Sequence, residues 1–121
     1  ARAIRSIKPA ATFFREFVKH PGMIGSIIPS SRALVNTVLE DVDWPNVRLF
    51  VEYGPGVGTF TRPILEKLPV GATLIAIDTN AGFVRMLNAE VADYRFKAVL
   101  GSAEDVVRII GEHGFAEADY V

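Results

Sequence analysis

The chain of 121 residues contains no cysteine, so it can form no disulfide, thiolate metal site or thiol nucleophile. Its two histidines, His20 and His113, lie far apart and lack ligand spacing. Each precedes a helix-ending signal, Pro21 or Gly114, and reads as a helix-end residue. Metal catalysis is therefore not expected. No apolar run approaches the roughly 20 residues that span a bilayer. Arg2, Arg5 and Lys8 interrupt the N-terminal apolar positions, so no signal peptide is evident. A reducing cytoplasm is the expected location. There is no internal repeat, and the prolines and glycines sit at boundaries rather than in tracts. With half its residues apolar and 22% charged, the chain suits one globular domain with one core. The small net charge of −1 hides an asymmetry. Residues 1–20 carry five basic side chains against one acidic, a net of +4, which leaves −5 on the rest.

What is present is a regular alternation. Apolar runs predict strands over Arg48–Tyr53, Thr73–Asp78 and Arg95–Leu100, and Ala118–Val121 opens a fourth. Helical patterns fill Thr59–Leu68, about Ala81–Val91 and about Ala103–Glu112. A further helix, capped by Ser30 or Ser31, runs to about Val42, and Asp43-Trp44-Pro45-Asn46 is a loop. Strands alternating with helices predict an α/β fold, a Rossmann-like open parallel sheet with helices on both faces. Before it, Ile4, Ile7, Ala11, Phe14 and Val18 form one apolar helical face, broken at Pro9. This arm reads as an N-terminal extension.

The segment richest in information is Glu52-Tyr53-Gly54-Pro55-Gly56-Val57-Gly58-Thr59. It follows the apolar run Leu49–Val51, and Asp78 comes 20 residues after Gly58, at the end of the second run. Strand, glycine turn, helix, and a second strand ending in an acid describe a half-site for a nucleoside cofactor. The glycines admit the ligand to the backbone, and Asp78 can take both ribose hydroxyls. The dinucleotide fingerprint fails, because its third glycine position holds Thr59. A phosphate-binding loop fails too, since no Lys-Ser or Lys-Thr follows. Glu52 would repel a pyrophosphate but attract a sulfonium and an amino group. A carboxylate at the end of a buried strand is costly unless something uses it. These residues favour S-adenosylmethionine.

Val51-Glu52-Tyr53-Gly54-Pro55-Gly56-Val57-Gly58 resembles motif I of the class I S-adenosylmethionine-dependent methyltransferases. Asp78 resembles that family's ribose-binding acid, with Thr79 beside it. Ser102-Ala103-Glu104-Asp105 is similar to the segment framing the adenine, where an acidic side chain accepts from the adenine amino group. Glu104 is preferred for that role. The resemblance implies S-adenosyl-L-methionine as cofactor, with Glu52, Tyr53, Gly54, Pro55, Gly56, Gly58 and Thr59 at its methionine and ribose end. It also implies about seven strands in all, so only the first four are expected here, as the cofactor-binding part of a longer protein that is inactive by itself. No catalytic residue is assigned.

Phe13 to Ser31 resembles the N-terminal region of bacterial phospholipid N-methyltransferases, which act on phosphatidylethanolamine. That resemblance implies that Ile28, Pro29 and Ser30 close over the cofactor. Residues 1–30 are then a basic amphipathic arm and lid loop, and residues 31–121 the cofactor-binding part. Those enzymes are similar in turn to ribosomal RNA adenine dimethyltransferases. A basic helix bearing Phe and Ile suits an anionic membrane surface through residues 2–20, peripheral on the inner face. The same charges would serve RNA, a less favoured partner because the aromatics follow a helical pattern. The arm aromatics can equally pack on the domain. A non-catalytic module binding a cofactor or membrane is the remaining class, with oligomerisation through an open sheet edge.

Overall fold

A computed structural model of the protein describes residues 32–121. The expected arm, the lid residues Ile28, Pro29 and Ser30, and the cap expected of Ser30 or Ser31 lie outside them. The three apolar runs form parallel strands β1 (Leu49–Tyr53), β2 (Thr73–Asp78) and β3 (Phe96–Leu100), adjacent in that order. Their register sets Glu52 beside Ala76 and Ala76 beside Ala98, so the strands end level with one another. Tyr120 forms a parallel bridge to Phe50 on the other side of β1. The expected fourth strand is represented by this bridge, held by Val51 N–H donating to Tyr120 O (2.8 Å) and Asp119 N–H to Leu49 O (2.9 Å).

Helices α1 (Arg32–Leu39), α2 (Thr61–Lys67), α3 (Ala81–Glu90) and α4 (Val106–Glu112) fill the connections. Strand alternation divides the core between two faces. Phe50, Leu74, Ala76, Phe96 and Ala98 pack with Val38 and Leu39 of α1, Ile64 and Leu65 of α2 and Leu87 of α3. Leu49, Val51, Ile75 and Ile77 pack on the other face with Ile109 and Ile110 of α4. Each large aliphatic side chain so buried contributes about 1.5–3 kcal/mol. The end of α2 is held by Arg95, whose guanidinium donates to the carbonyls of Leu65 and Leu68 and pairs with Asp93. That guanidinium keeps the Asp93 carboxyl below the usual carboxylate range.

Two helices differ from expectation. The one after the glycine turn begins at Thr61 rather than Thr59, because Gly58 still has a positive φ of 95°. The last is preceded by a 3-10 turn at Ala103–Asp105, imposed by a capping box between Ser102 and Asp105. Trp44–Asn46, expected as loop, makes one 3-10 turn with proline at its start.

Strand β3 is the far edge of the described sheet, and the outward backbone groups at its start and middle are already used. Leu74 N–H donates to Arg95 O, so alternate residues of β3 face β2, and Phe96 and Ala98 face outward. Phe96 N–H donates to Asp93 O (3.0 Å). From α3, the Asn88 side chain accepts from Ala98 N–H (3.0 Å) and donates to Ala98 O (2.9 Å). One carboxamide thus takes the place of a neighbouring strand, a form of edge protection. Asn88→Ala should free both groups, lower stability by about 1–3 kcal/mol, and produce association that rises with concentration. Sedimentation profiles matching the parent at every concentration would contradict this.

Candidate functional site

All the expected site residues within the described region lie at the carboxyl ends of the strands, where ligands of open parallel sheets bind. The strand ladder carries directly into the loops. Gly54 N–H donates to Ile77 O (2.8 Å), and Gly101 N–H donates to Asp78 O (3.0 Å). The glycine loop then turns through three left-handed residues, Gly54 (φ 61°), Gly56 (φ 57°) and Gly58 (φ 95°). Side chains rarely adopt such angles. The surroundings separate two of them. A Cβ on Gly56 would meet nothing within 4 Å, so this backbone faces open space. A Cβ on Gly58 would lie 2.8 Å from Arg62 Nη1 and 3.2 Å from Leu87 Cδ2, so there the chain packs closely on α2 and α3.

Asp78 links two loops. Its Oδ2 accepts from Gly56 N–H (3.2 Å) and its Oδ1 from Asn80 N–H (2.8 Å). The acid after β2 thereby fixes the middle of the glycine loop. Each carboxylate oxygen keeps a further lone pair for a ligand. Asn80 starts α3 by accepting from Phe83 N–H (3.0 Å). Thr79 is exposed, and Thr59 and Tyr53 are partly buried. Tyr53 packs toward the α4 face, and burial pushes its hydroxyl pKa up.

Beside this, Ser102 Oγ accepts from Glu104 N–H (3.3 Å) and Asp105 Oδ2 accepts from Ser102 N–H (2.9 Å). That backbone donation holds the Asp105 carboxyl below its usual range, with Arg108 assisting. Asp105 is thus committed to the turn. Ala103 and Glu104 are exposed at the same edge. Val57 at 60% and Leu100 at 54% exposure add apolar surface at the ends of β1 and β3 that sequence reasoning did not single out.

Glu52, near the end of β1, is 1% exposed and by strand alternation lies on the Phe50 face. Its Oε1 accepts from the hydroxyl of Thr61, itself 0% exposed, at 2.8 Å. Thr61 was also missed. A buried carboxylate needs a donor, and that requirement could have directed attention to the first hydroxyls after the loop, Thr59 and Thr61.

Cavities elsewhere lie away from these loops. One of about 480 Å³ is lined by Arg48, Phe115, Glu117 and Asp119, at the amino end of β1. Another, of about 420 Å³, lies by Val70, Tyr94 and Arg95, before β2 and β3. Neither touches the glycine loop. Among the described residues no cluster of His, Asp or Glu could hold a metal, and no helix is long and apolar enough to cross a membrane.

No protein-family model matches the chain. It is 32% identical over 110 residues to an ornithine lipid N-methyltransferase of Singulisphaera acidiphila. The alignment takes in 90% of this chain but 57% of that relative, so the chain spans little more than half the relative's length. Its fold matches a crystal structure from Klebsiella pneumoniae proposed to be an O-methyltransferase, with a TM-score of 0.53 and 18% identity. That match covers 86% of this chain and 48% of the other. The likeness in sequence to a methyltransferase, together with the shared Rossmann-like fold, supports the resemblance to the class I S-adenosylmethionine-dependent methyltransferases.

Proposed function

We propose that this chain is the cofactor-binding part of an N-methyltransferase that acts on the amine of a membrane-lipid headgroup. The observation that carries the substrate class is the 32% identity, over nine-tenths of the chain, to an enzyme named for N-methylation of an aminolipid. Phosphatidylethanolamine and ornithine lipid share the chemistry required, an amine held at a bilayer surface. The basic amphipathic pattern of residues 2–20 supports work at an anionic surface.

The residues present fit S-adenosylmethionine. Gly56 offers backbone with open space before it, Asp78 offers carboxylate lone pairs for the ribose, and Glu104 with Ser102 borders the adenine position. When bound, the cofactor supplies a methyl group activated by a sulfonium. The chain's own work is to hold and orient. Asp78 joins the ribose position to the glycine loop, and the loop's left-handed turns expose its backbone to the methionine end. Alignment of an amine with the methyl group supplies most of the rate advantage, and the amine must also give up a proton.

Calorimetric titration with S-adenosylmethionine, S-adenosylhomocysteine and NAD tests the cofactor. Micromolar binding of the first two and none of NAD is expected. Labelled methyl transfer by the full-length protein, offered vesicles with ornithine lipid or phosphatidylethanolamine and a ribosomal RNA fragment, tests the acceptor. Label in lipid supports the proposal, and label in RNA alone overturns it.

A further inference from the structure

We propose that Thr61 is a positioning residue that sets the conformation of the glycine loop through Glu52. The loop, residues 53–60, runs from the end of β1 to the start of α2. Its first half is held from β2, by Ile77 O on Gly54 and by Asp78 on Gly56. Its second half is held within itself and from α2: Gly58 N–H donates to Pro55 O (2.9 Å), and Arg62 reaches back at longer range to Gly58 O (3.5 Å) and Val57 O (3.4 Å). The N-cap residue of α2, Phe60, makes no side-chain cap. A short, buried link from the start of α2 back to the root of the loop is the hydroxyl of Thr61 on Glu52 Oε1.

That link is suited to the task. Both side chains are at most 1% exposed, so water does not compete for the bond. A buried carboxylate left short of a donor is costly, which penalises any loop conformation that carries Thr61 away. Fixing α2 against β1 fixes where Gly58 must turn.

The test uses Thr61→Val, which keeps the shape and removes the hydroxyl, and Thr61→Ser, which keeps the hydroxyl. Hydrogen exchange of the Gly56, Val57 and Gly58 amides should quicken about tenfold in the Val variant, the scale of one charged hydrogen bond. The amides of β2 and β3 should be unchanged, and Ser should restore the parent rates. Unchanged loop exchange in Thr61→Val overturns the proposal. So does acceleration of every amide together, which would make Thr61 a general core residue, and so does a Ser variant that behaves as Val. The cofactor arm rests on the methyltransferase reading. S-adenosylmethionine affinity should fall about tenfold in Thr61→Val and recover in Thr61→Ser. If loop exchange responds as expected but the parent binds no cofactor, the positioning role stands and the cofactor reading falls. If the parent binds and Thr61→Val binds equally, the role in cofactor binding is refuted.

Discussion

Asp78→Ala should weaken S-adenosylmethionine binding by at least about a hundredfold while leaving the domain folded. A carboxylate receiving two ribose hydroxyls makes two charge-assisted bonds, each of about 1.5–3 kcal/mol. Every 1.4 kcal/mol is roughly tenfold in affinity. The side chain also accepts from Gly56 and Asn80, so some stability is lost as well. Asp78 is the last paired residue of β2, opposite Leu100, but its side chain belongs to neither core cluster. Asp78→Asn is informative for another reason. One oxygen can still accept from Asn80, but the new amide presents donors toward Gly56 N–H. Calorimetry with a thermal melt separates affinity from folding. A folded Asp78→Ala variant that binds as tightly as the parent would remove Asp78 from the site.

Gly58→Val should be the most destabilising single change in the loop. Its φ of 95° is unfavourable for any side chain. The new Cβ would press on Leu87, which is fully buried, whereas the Arg62 guanidinium can swing away. Backbone strain of about 1–2 kcal/mol and overpacking of about 1–3 kcal/mol combine. Against a total stability of some 5–15 kcal/mol, that is enough to shift a denaturation midpoint plainly. Gly56→Ala is the comparison. Its φ is also positive, but no atom lies near its Cβ, so its stability cost should be about 1–2 kcal/mol. Its main effect should fall on cofactor binding. Equal midpoints for Gly58→Val and the parent would show that the loop does not pack on α3 as described.

The sheet was legible in the sequence because buried parallel strands are short apolar runs bounded by turn residues. Thr73–Asp78 matches β2 throughout, and β1 and β3 begin one residue later than expected. The glycine loop and Asp78 were legible because their spacing along the chain reflects a local strand-turn-helix unit. Helix starts were less so. Where α2 begins depends on how many left-handed residues the loop spends, and a glycine does not declare its φ. The partners of Glu52 and Ala98 were hidden for a different reason. Thr61 and Asn88 are ordinary polar residues in helical patterns, and only the packing of α2 and α3 on the sheet gives them their roles.

The carboxamide of Asn88 also limits what kind of assembly this sheet can enter. A strand-to-strand chain of copies needs two receptive flanks on every copy, one to receive and one to extend. Here the β3 flank is occupied at Ala98, and the chain continues the ladder beside β1 at Tyr120. With Ala98 already bonded, a strand laid along β3 would meet no free donor or acceptor at the middle of that edge, so this flank of the described sheet is a poor template for strand-by-strand growth.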